Sequence, residues 1–141
     1  MKSLPQTNDT LLIRTDFSDQ AAWQALWTTV TTPNEDDFLA DVHIVDDPAY
    51  RDLTTGQIIS LAPAGTGRRL MIVADETALA TPEMPLLAVH LPYAYEPEQG
   101  HGELRVTAGE LWSIENNLSL ANMDWEEFAG AADADGVVRG F

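Results

Sequence analysis

The sequence predicts an α/β fold, a single three-layer domain built on a mostly parallel sheet of four to five strands. Its 141 residues, 45% of them hydrophobic, suffice for one buried core and are too few for two. Apolar segments of strand length alternate, in the first half, with segments of helical spacing. Because parallel strands need a crossover connection, this order is typical of a parallel sheet. An α+β arrangement is the alternative, since the chain after Leu86 leaves little room for crossover helices.

The first strand and helix are expected directly after a polar N-terminal segment. Residues 1–9 contain Pro5 and predict a flexible lead before a domain over residues 10–141. A strand is expected at residues 11–15, and Ser18 is a suitable cap for the next helix. Apolar residues at three- and four-residue spacing define the buried stripe of that helix: Ala22, Trp23, Leu26, Trp27 and Val30.

The middle of the chain predicts an edge strand and two short helical segments. Residues 40–45 alternate between apolar and mixed positions, as a strand near the edge of a sheet does. Asp47 before Pro48 predicts a capped turn, because aspartate is a good N-cap and proline suits the first helical position. Thr55 is a candidate cap for a helix over residues 57–62.

Three further strands and a final helix are expected downstream. The continuous apolar runs at residues 70–74 and 86–91 predict central strands covered on both faces. Residues 103–107 predict a fifth strand, and residues 111–120 fit either a strand or a helix. A final helix is expected where Asp124 and a glutamate three residues later have the spacing of a capping box.

The core is expected to contain the large apolar side chains of these stripes and runs. Those predicted to be largely buried are Trp23, Trp27, Ile44, Ile72, Leu87, Leu118, Leu120, Trp125 and Phe128.

The charge balance excludes several classes of protein. Seven Lys and Arg stand against 23 Asp and Glu, for a formal net charge of −16, whereas a nucleic-acid-binding protein needs a basic face.

No apolar run approaches the roughly 18 residues that cross a bilayer, and the N-terminus lacks the apolar stretch of a signal peptide. We therefore expect a cytoplasmic protein. The chain has no cysteine, which excludes disulfides and thiolate nucleophiles.

Aspartates follow three of the predicted strands directly. Asp16, Asp46 and Asp75 would gather at the carboxyl edge of a parallel sheet, where open α/β folds bind their ligands. Carboxylates facing one crevice suit Mg²⁺, which prefers oxygen ligands. The alternative is local, because aspartate is also a favoured N-cap and turn former.

A proline- and glycine-rich segment, PYAYEPEQGHG at residues 92–102, predicts a long exposed loop. It combines aromatic and acidic side chains, which together suit a protein interface. The residues expected to contact a partner there are Tyr93, Tyr95, Glu96 and Glu98.

Two segments carry a resemblance to other proteins. The C-terminal stretch LWSIENNLSLANMDWEEFAGAADADGVVRGF and the opening LLIRTDFSDQAAW are similar to the corresponding parts of an uncharacterised family of small acidic bacterial proteins. The resemblance covers nearly the whole chain and implies a single domain. It implies no activity and no catalytic residues.

Two functions fit these observations. The favoured one is an acidic protein-binding module, of immunity type or regulatory, that docks on a basic protein. The alternative is a small Mg-dependent or nucleotide-handling enzyme built on Asp16, Asp46 and Asp75. Because no catalytic constellation is complete in the sequence, a binding role is expected over an enzymatic one.

Overall fold

A computed structural model describes residues 3–5, 7–62, 69–91, 100–120 and 123–140 of the protein. Within them the chain forms one six-stranded sheet in the order β2-β1-β3-β4-β5-β6. The strands are β1 (Thr10–Arg14), β2 (Val42–Val45), β3 (Arg69–Ala74), β4 (Pro85–Leu91), β5 (Gly102–Thr107) and β6 (Val137–Val138). The helices are α1 (Gln20–Thr31), α2 (Thr55–Leu61), α3 (Glu76–Ala80), α4 (Leu111–Ser119) and α5 (Trp125–Ala131), with 3-10 turns at Pro48–Tyr50 and Ala108–Glu110.

The sheet is mixed, so the prediction of a mostly parallel sheet with four to five strands was wrong. Strand β1 lies parallel to β2 and β3, β4 is antiparallel to both β3 and β5, and β6 is parallel to β5. Between β3 and β4 the chain contains only the five-residue helix α3 and a turn at Met84, which has a φ of 50°. A parallel return needs a dozen or more residues, so the strand comes back antiparallel.

Apolar side chains cover both faces of the sheet, which gives the expected three layers. On one face, residues such as Leu12 and Ile72 pack against α1, α3, α4 and α5. On the other face, Ile13 and Val73 pack against α2. The connection from β1 through α1 to β2 and the connection from β2 through α2 to β3 run in opposite directions across the sheet, so right-handed crossovers place α1 and α2 on opposite faces.

The N-terminal segment contributes to the second of these cores. Leu4 is 4% exposed, and its backbone N–H donates to the Leu61 carbonyl at 3.0 Å. The Tyr50 hydroxyl donates to the Ser3 carbonyl at 2.7 Å. Part of the segment predicted as a flexible lead therefore packs on α2.

The caps lie within one residue of their predicted positions. Asp19, rather than Ser18, caps α1. Thr54, rather than Thr55, caps α2 and forms a capping box with Gln57. Asp124 occupies the N-cap position of α5, but its side chain makes no capping hydrogen bond.

Most of the predicted core is buried, with two clear exceptions. Trp23, Ile72 and Phe128 are fully buried, and Leu87 and Trp125 are 8% exposed. Ile44 and Leu118 are half-buried. Trp27 is 41% exposed and Leu120 is 70% exposed, so both predictions were wrong. Helix α1 buries the narrower stripe Trp23, Leu26 and Val30, and Leu120 lies beyond the last residue of α4.

Within the parts of the chain that the structure describes, no helix combines the length and the apolar character needed to cross a membrane.

Candidate functional site

The topology places the three predicted metal ligands at one edge of the sheet. Asp16, Asp46 and Asp75 follow β1, β2 and β3, which run parallel, so all three stand at the carboxyl edge. This part of the arrangement is the one that the sequence led us to expect.

Each of these aspartates, however, is engaged by its own partner. Asp46 Oδ1 accepts a hydrogen bond from Arg14 Nη1 at 3.1 Å. Both carboxylate oxygens of Asp75 accept from Arg105 at 2.8 Å, and Asp75 also caps α3. Asp16 Oδ1 accepts from the backbone N–H of Ser18 at 3.1 Å. Two of the three carboxylates therefore neutralise arginines.

The side chain of Arg14 is buried at the carboxyl edge and makes several contacts there. It is only 3% exposed, and its Nε and Nη2 donate to the Asp16 carbonyl and to Gln20 Oε1. Its guanidinium carbon lies 4.3 Å from the centroid of the Phe17 ring and 4.9 Å from that of Trp23. A metal ion would have to compete with this buried, hydrogen-bonded cation for the Asp46 carboxylate.

Among the described residues, no three His, Asp or Glu side chains form a group that could hold a metal ion. The magnesium site built on Asp16, Asp46 and Asp75 thus stays a prediction, and the geometry of the edge does not favour it.

The partner residues predicted in the long loop, Tyr93, Tyr95, Glu96 and Glu98, belong to residues 92–99 and lie outside the described part of the chain. Their role also stays a prediction.

A second surface combines acidic and aromatic side chains within the described residues. Glu35, Asp36 and Asp37 are exposed in the loop that follows α1, and next to them Phe38 and Leu39 are 47% and 38% exposed. The Phe38 ring stacks on Trp112 of α4, with centroids 4.6 Å apart and planes 9° apart. We call this surface the acidic aromatic patch; its members are Glu35, Asp36, Asp37, Phe38, Leu39 and Trp112.

Asn34 holds the loop of this patch in one conformation. Its side-chain Oδ1 accepts from the backbone N–H groups of Asp36 and Phe38, both at 2.9 Å. Its own N–H donates to the Phe38 carbonyl, and its carbonyl accepts from Asp37 N–H. Asp37 adopts a φ of 64°, which is uncommon for a residue other than glycine. A loop with these bonds presents its acids in a preorganised arrangement.

Helix α4 contacts this region at two points. Trp112 supports Phe38, and Glu115 Oε1 accepts from the backbone N–H of Asp41 at 2.6 Å. Glu115 is 2% exposed and also accepts from the hydroxyls of Thr10 and Ser119. The loop is therefore fixed to the folded body at Phe38 and at Asp41.

The hollow beside the patch is too small for a metabolite. It has a volume of about 20 Å³ and is lined by residues that include Val30, Ala40, Leu111 and Trp112. Such a volume holds about one water molecule.

In the sequence, residues 34–37 indicate only an acidic run that ends α1. The feature of the sequence that could have indicated this surface is the pair Phe38 and Leu39 directly after three acids. Apolar side chains next to a charged run are either buried in the core or available for contact with a partner. The tertiary structure is needed to show that these two side chains remain outside the core.

Comparison with known proteins adds a family but no activity. No curated protein matches the sequence. Membership of an uncharacterised family, which the two terminal segments led us to expect, is confirmed: the chain belongs to the family described as a domain of unknown function, DUF6924, which matches residues 9–141.

Proposed function

We propose that this protein is a binding module of the bacterial cytoplasm, of immunity type or regulatory, that docks on a basic protein through the acidic aromatic patch. The observation that carries the proposal is the arrangement of Glu35, Asp36 and Asp37 beside the exposed ring of Phe38, on a loop closed by Asn34.

The charge of the whole chain supports a basic partner. A net charge of −16 attracts a cationic protein over distances longer than a contact and raises its association rate. The apolar side chains of Phe38 and Leu39 would then supply short-range contacts that slow dissociation. Kinetic measurements separate the two effects, because the charge changes the association rate and the aromatic contact changes the dissociation rate.

The enzyme alternative depends on free carboxylates at the carboxyl edge. Asp46 and Asp75 are paired with Arg14 and Arg105. A metal ion would have to displace these arginines to bind the two carboxylates. A binding role is therefore the function that the geometry supports best.

The first experiment isolates the partner and measures its kinetics. The chain, immobilised, is used to capture proteins from the native host, and the captured protein is purified and its binding followed at several salt concentrations. Between about 0.05 and about 0.5 M salt the Debye length falls from roughly 14 to roughly 4 Å. Association should slow steeply across this range while dissociation changes little. A partner bound without salt dependence, or recovery of small molecules only, would overturn the proposal in favour of the carboxyl-edge enzyme.

Variants then locate the binding surface. Phe38→Ala should accelerate dissociation by roughly tenfold or more, as expected for a central aromatic contact. Its matched control is Leu120→Ala, which removes another exposed apolar side chain outside the patch. Equal effects of the two substitutions on dissociation would show that Phe38 does not lie in the interface.

The acids are tested with a control of the same charge. The double change Glu35→Gln and Asp36→Asn should slow association severalfold at low salt. The control changes Glu126→Gln and Glu127→Gln on α5 alter the net charge by the same amount at other exposed residues. They should slow association less than the changes in the patch. The predicted loop set is measured in parallel, with Tyr95→Ala and with Glu96 and Glu98 replaced by Gln. A loss of binding confined to that set would move the interface to residues 92–99.

A further inference from the structure

One of the two edge strands of the sheet, β2, follows the loop of the acidic aromatic patch in the chain. Strand β2 ends the strand order, and within the described residues β1 is the one strand that pairs with it. Proteins commonly protect an edge strand with lysine, proline, a bulge or a charge. The four residues of β2, Val42–Val45, read VHIV and contain no lysine, arginine, proline or acid, and their register with β1 runs without a bulge.

The hydrogen-bond pattern defines which backbone groups face outward. Thr10 N–H donates to the Asp41 carbonyl at 3.1 Å, and the register pairs Leu11 with His43. In a parallel ladder alternate residues direct both backbone groups to the neighbour. Asp41, His43 and Val45 therefore face β1, and the backbone groups of Val42 and Ile44 face away from the sheet.

Side chains along β2 suit an incoming strand. Val42 and Ile44 are half-buried and pack at the margin of the core, so apolar area remains beside the outward backbone groups. Acids flank the strand at both ends, with Asp41 before it and Asp47 after it, next to Asp46, which is already paired with Arg14. This charge disfavours pairing with a second copy of the chain, which would bring like charges together.

We propose that an extended segment of the partner, carrying lysine or arginine, adds to β2 as a further strand. Backbone hydrogen bonds to Val42 and Ile44 would hold the segment, and its cations would lie near the flanking acids. The proposal rests on the proposed function, because the same basic partner would contact the patch through the loop that leads into β2.

The test uses a short synthetic peptide of alternating valine and lysine with blocked ends. Its control is the same peptide with every backbone amide N-methylated, which keeps the charges and removes the donors. Hydrogen exchange of the protein amides is followed by NMR with each peptide. The unmodified peptide should slow exchange at Val42 and Ile44 by about tenfold or more, while His43 and Val45, already paired with β1, change little. The methylated peptide should give no such protection.

A variant provides a second measurement. Val42→Pro removes one outward donor at the first position of an edge strand, where proline is tolerated. It should weaken binding of the unmodified peptide about fivefold or more, relative to Val42→Thr, which retains the N–H.

The outcomes separate the two proposals. If both peptides bind equally at low salt and Val42 and Ile44 stay unprotected, strand addition is overturned and electrostatic docking stands. If neither peptide binds at low salt, both proposals are overturned. Protection of the same amides at rising protein concentration without peptide would show a second copy on β2 and would overturn the choice of a basic segment.

Discussion

A buried arginine engages one of the three aspartates at the carboxyl edge. Arg14 is the last residue of β1, and its guanidinium is held by Asp46, Gln20 and the Asp16 carbonyl between aromatic rings. A cation in this position converts Asp46 from a free ligand into half of an ion pair. Three aspartates at parallel strand ends are therefore insufficient evidence of a metal site, because the residue that neutralises one of them comes from the strand itself.

Phe128 provides the most direct test of the core. Its ring is fully buried, so Phe128→Ala should lower the free energy of unfolding by about 3 to 5 kcal/mol. Urea denaturation measures this difference. Leu120→Ala is the control; the side chain is 70% exposed, and its removal should cost no more than about 0.5 kcal/mol. Equal costs for the two substitutions would contradict the packing of α5.

Glu115 stabilises the fold by its hydrogen bonds. The carboxylate is buried and accepts from Asp41 N–H, Thr10 Oγ1 and Ser119 Oγ. Glu115→Ala leaves a backbone donor without its acceptor and should cost about 1 to 3 kcal/mol in chemical denaturation.

Glu115→Gln keeps one oxygen for the Asp41 donor and should cost less than the alanine variant. Ser119→Ala removes a single donor, and about 1 kcal/mol is expected. An alanine variant at position 115 as stable as the unmodified protein would show that water replaces the carboxylate.

At the scale of elements, the hairpin of β4 and β5 depends on a close approach by α5. An added Cβ at Gly102 would lie 2.7 Å from Trp125 Cε2 and would also clash with Trp125 Nε1. The indole cannot retreat freely, because it stacks on His90 with centroids 4.9 Å apart. Glycine is therefore required at this strand position by the helix packed over it.

The expected result is a coupled pair of substitutions. Gly102→Ala should destabilise the protein by about 1 to 3 kcal/mol, because the methyl group overpacks the contact. In a Trp125→Leu background the same change should cost less, with a coupling of about 0.5 kcal/mol or more in a double-mutant cycle. Additive effects would indicate that the indole is not what excludes a side chain at this position.

At the scale of the whole molecule, Arg139 joins the C-terminal segment to the turn before β4. Its guanidinium donates to Glu83 at 2.5 Å, to Asp133 at 2.8 Å and to Asp135 at 2.6 Å. The hydrogen bond from Arg139 lowers the pKa of Asp135 below its ordinary value of 3.8. The same bonds raise the pKa of Arg139, which stays charged wherever the protein is folded.

This depressed pKa predicts an acid dependence with a defined sign. The ionised Asp135 stabilises the folded state above its ordinary pKa of 3.8, and this contribution is lost as pH falls through the lower folded pKa. The difference in stability between the unmodified protein and Arg139→Ala should therefore shrink below about pH 3.8. Denaturation curves between about pH 5 and about pH 2 measure it. A difference that grows on acidification would contradict the ion pair.

Local chemistry in the sequence is enough to predict several elements of the fold. Residues 11–15 and 70–74 predicted strands, and the spacing of Trp23, Leu26 and Val30 predicted α1. These signals depend on periodicity and capping within a few residues, which is why they hold to within one or two positions. The acidic balance and the membership of an uncharacterised family are likewise properties of the amino-acid sequence alone.

The direction of β4 and β5 and the exposure of the aromatic side chains depend instead on tertiary packing. Strand direction follows from how the chain turns between β3 and β4, and an apolar run reads the same in either direction. Whether Trp27 and Phe38 are buried depends on which neighbours cover them, and helical spacing carries no information about neighbours. For the same reason no local sequence pattern could predict the pairing of Asp46 with Arg14, because the two residues are 32 positions apart.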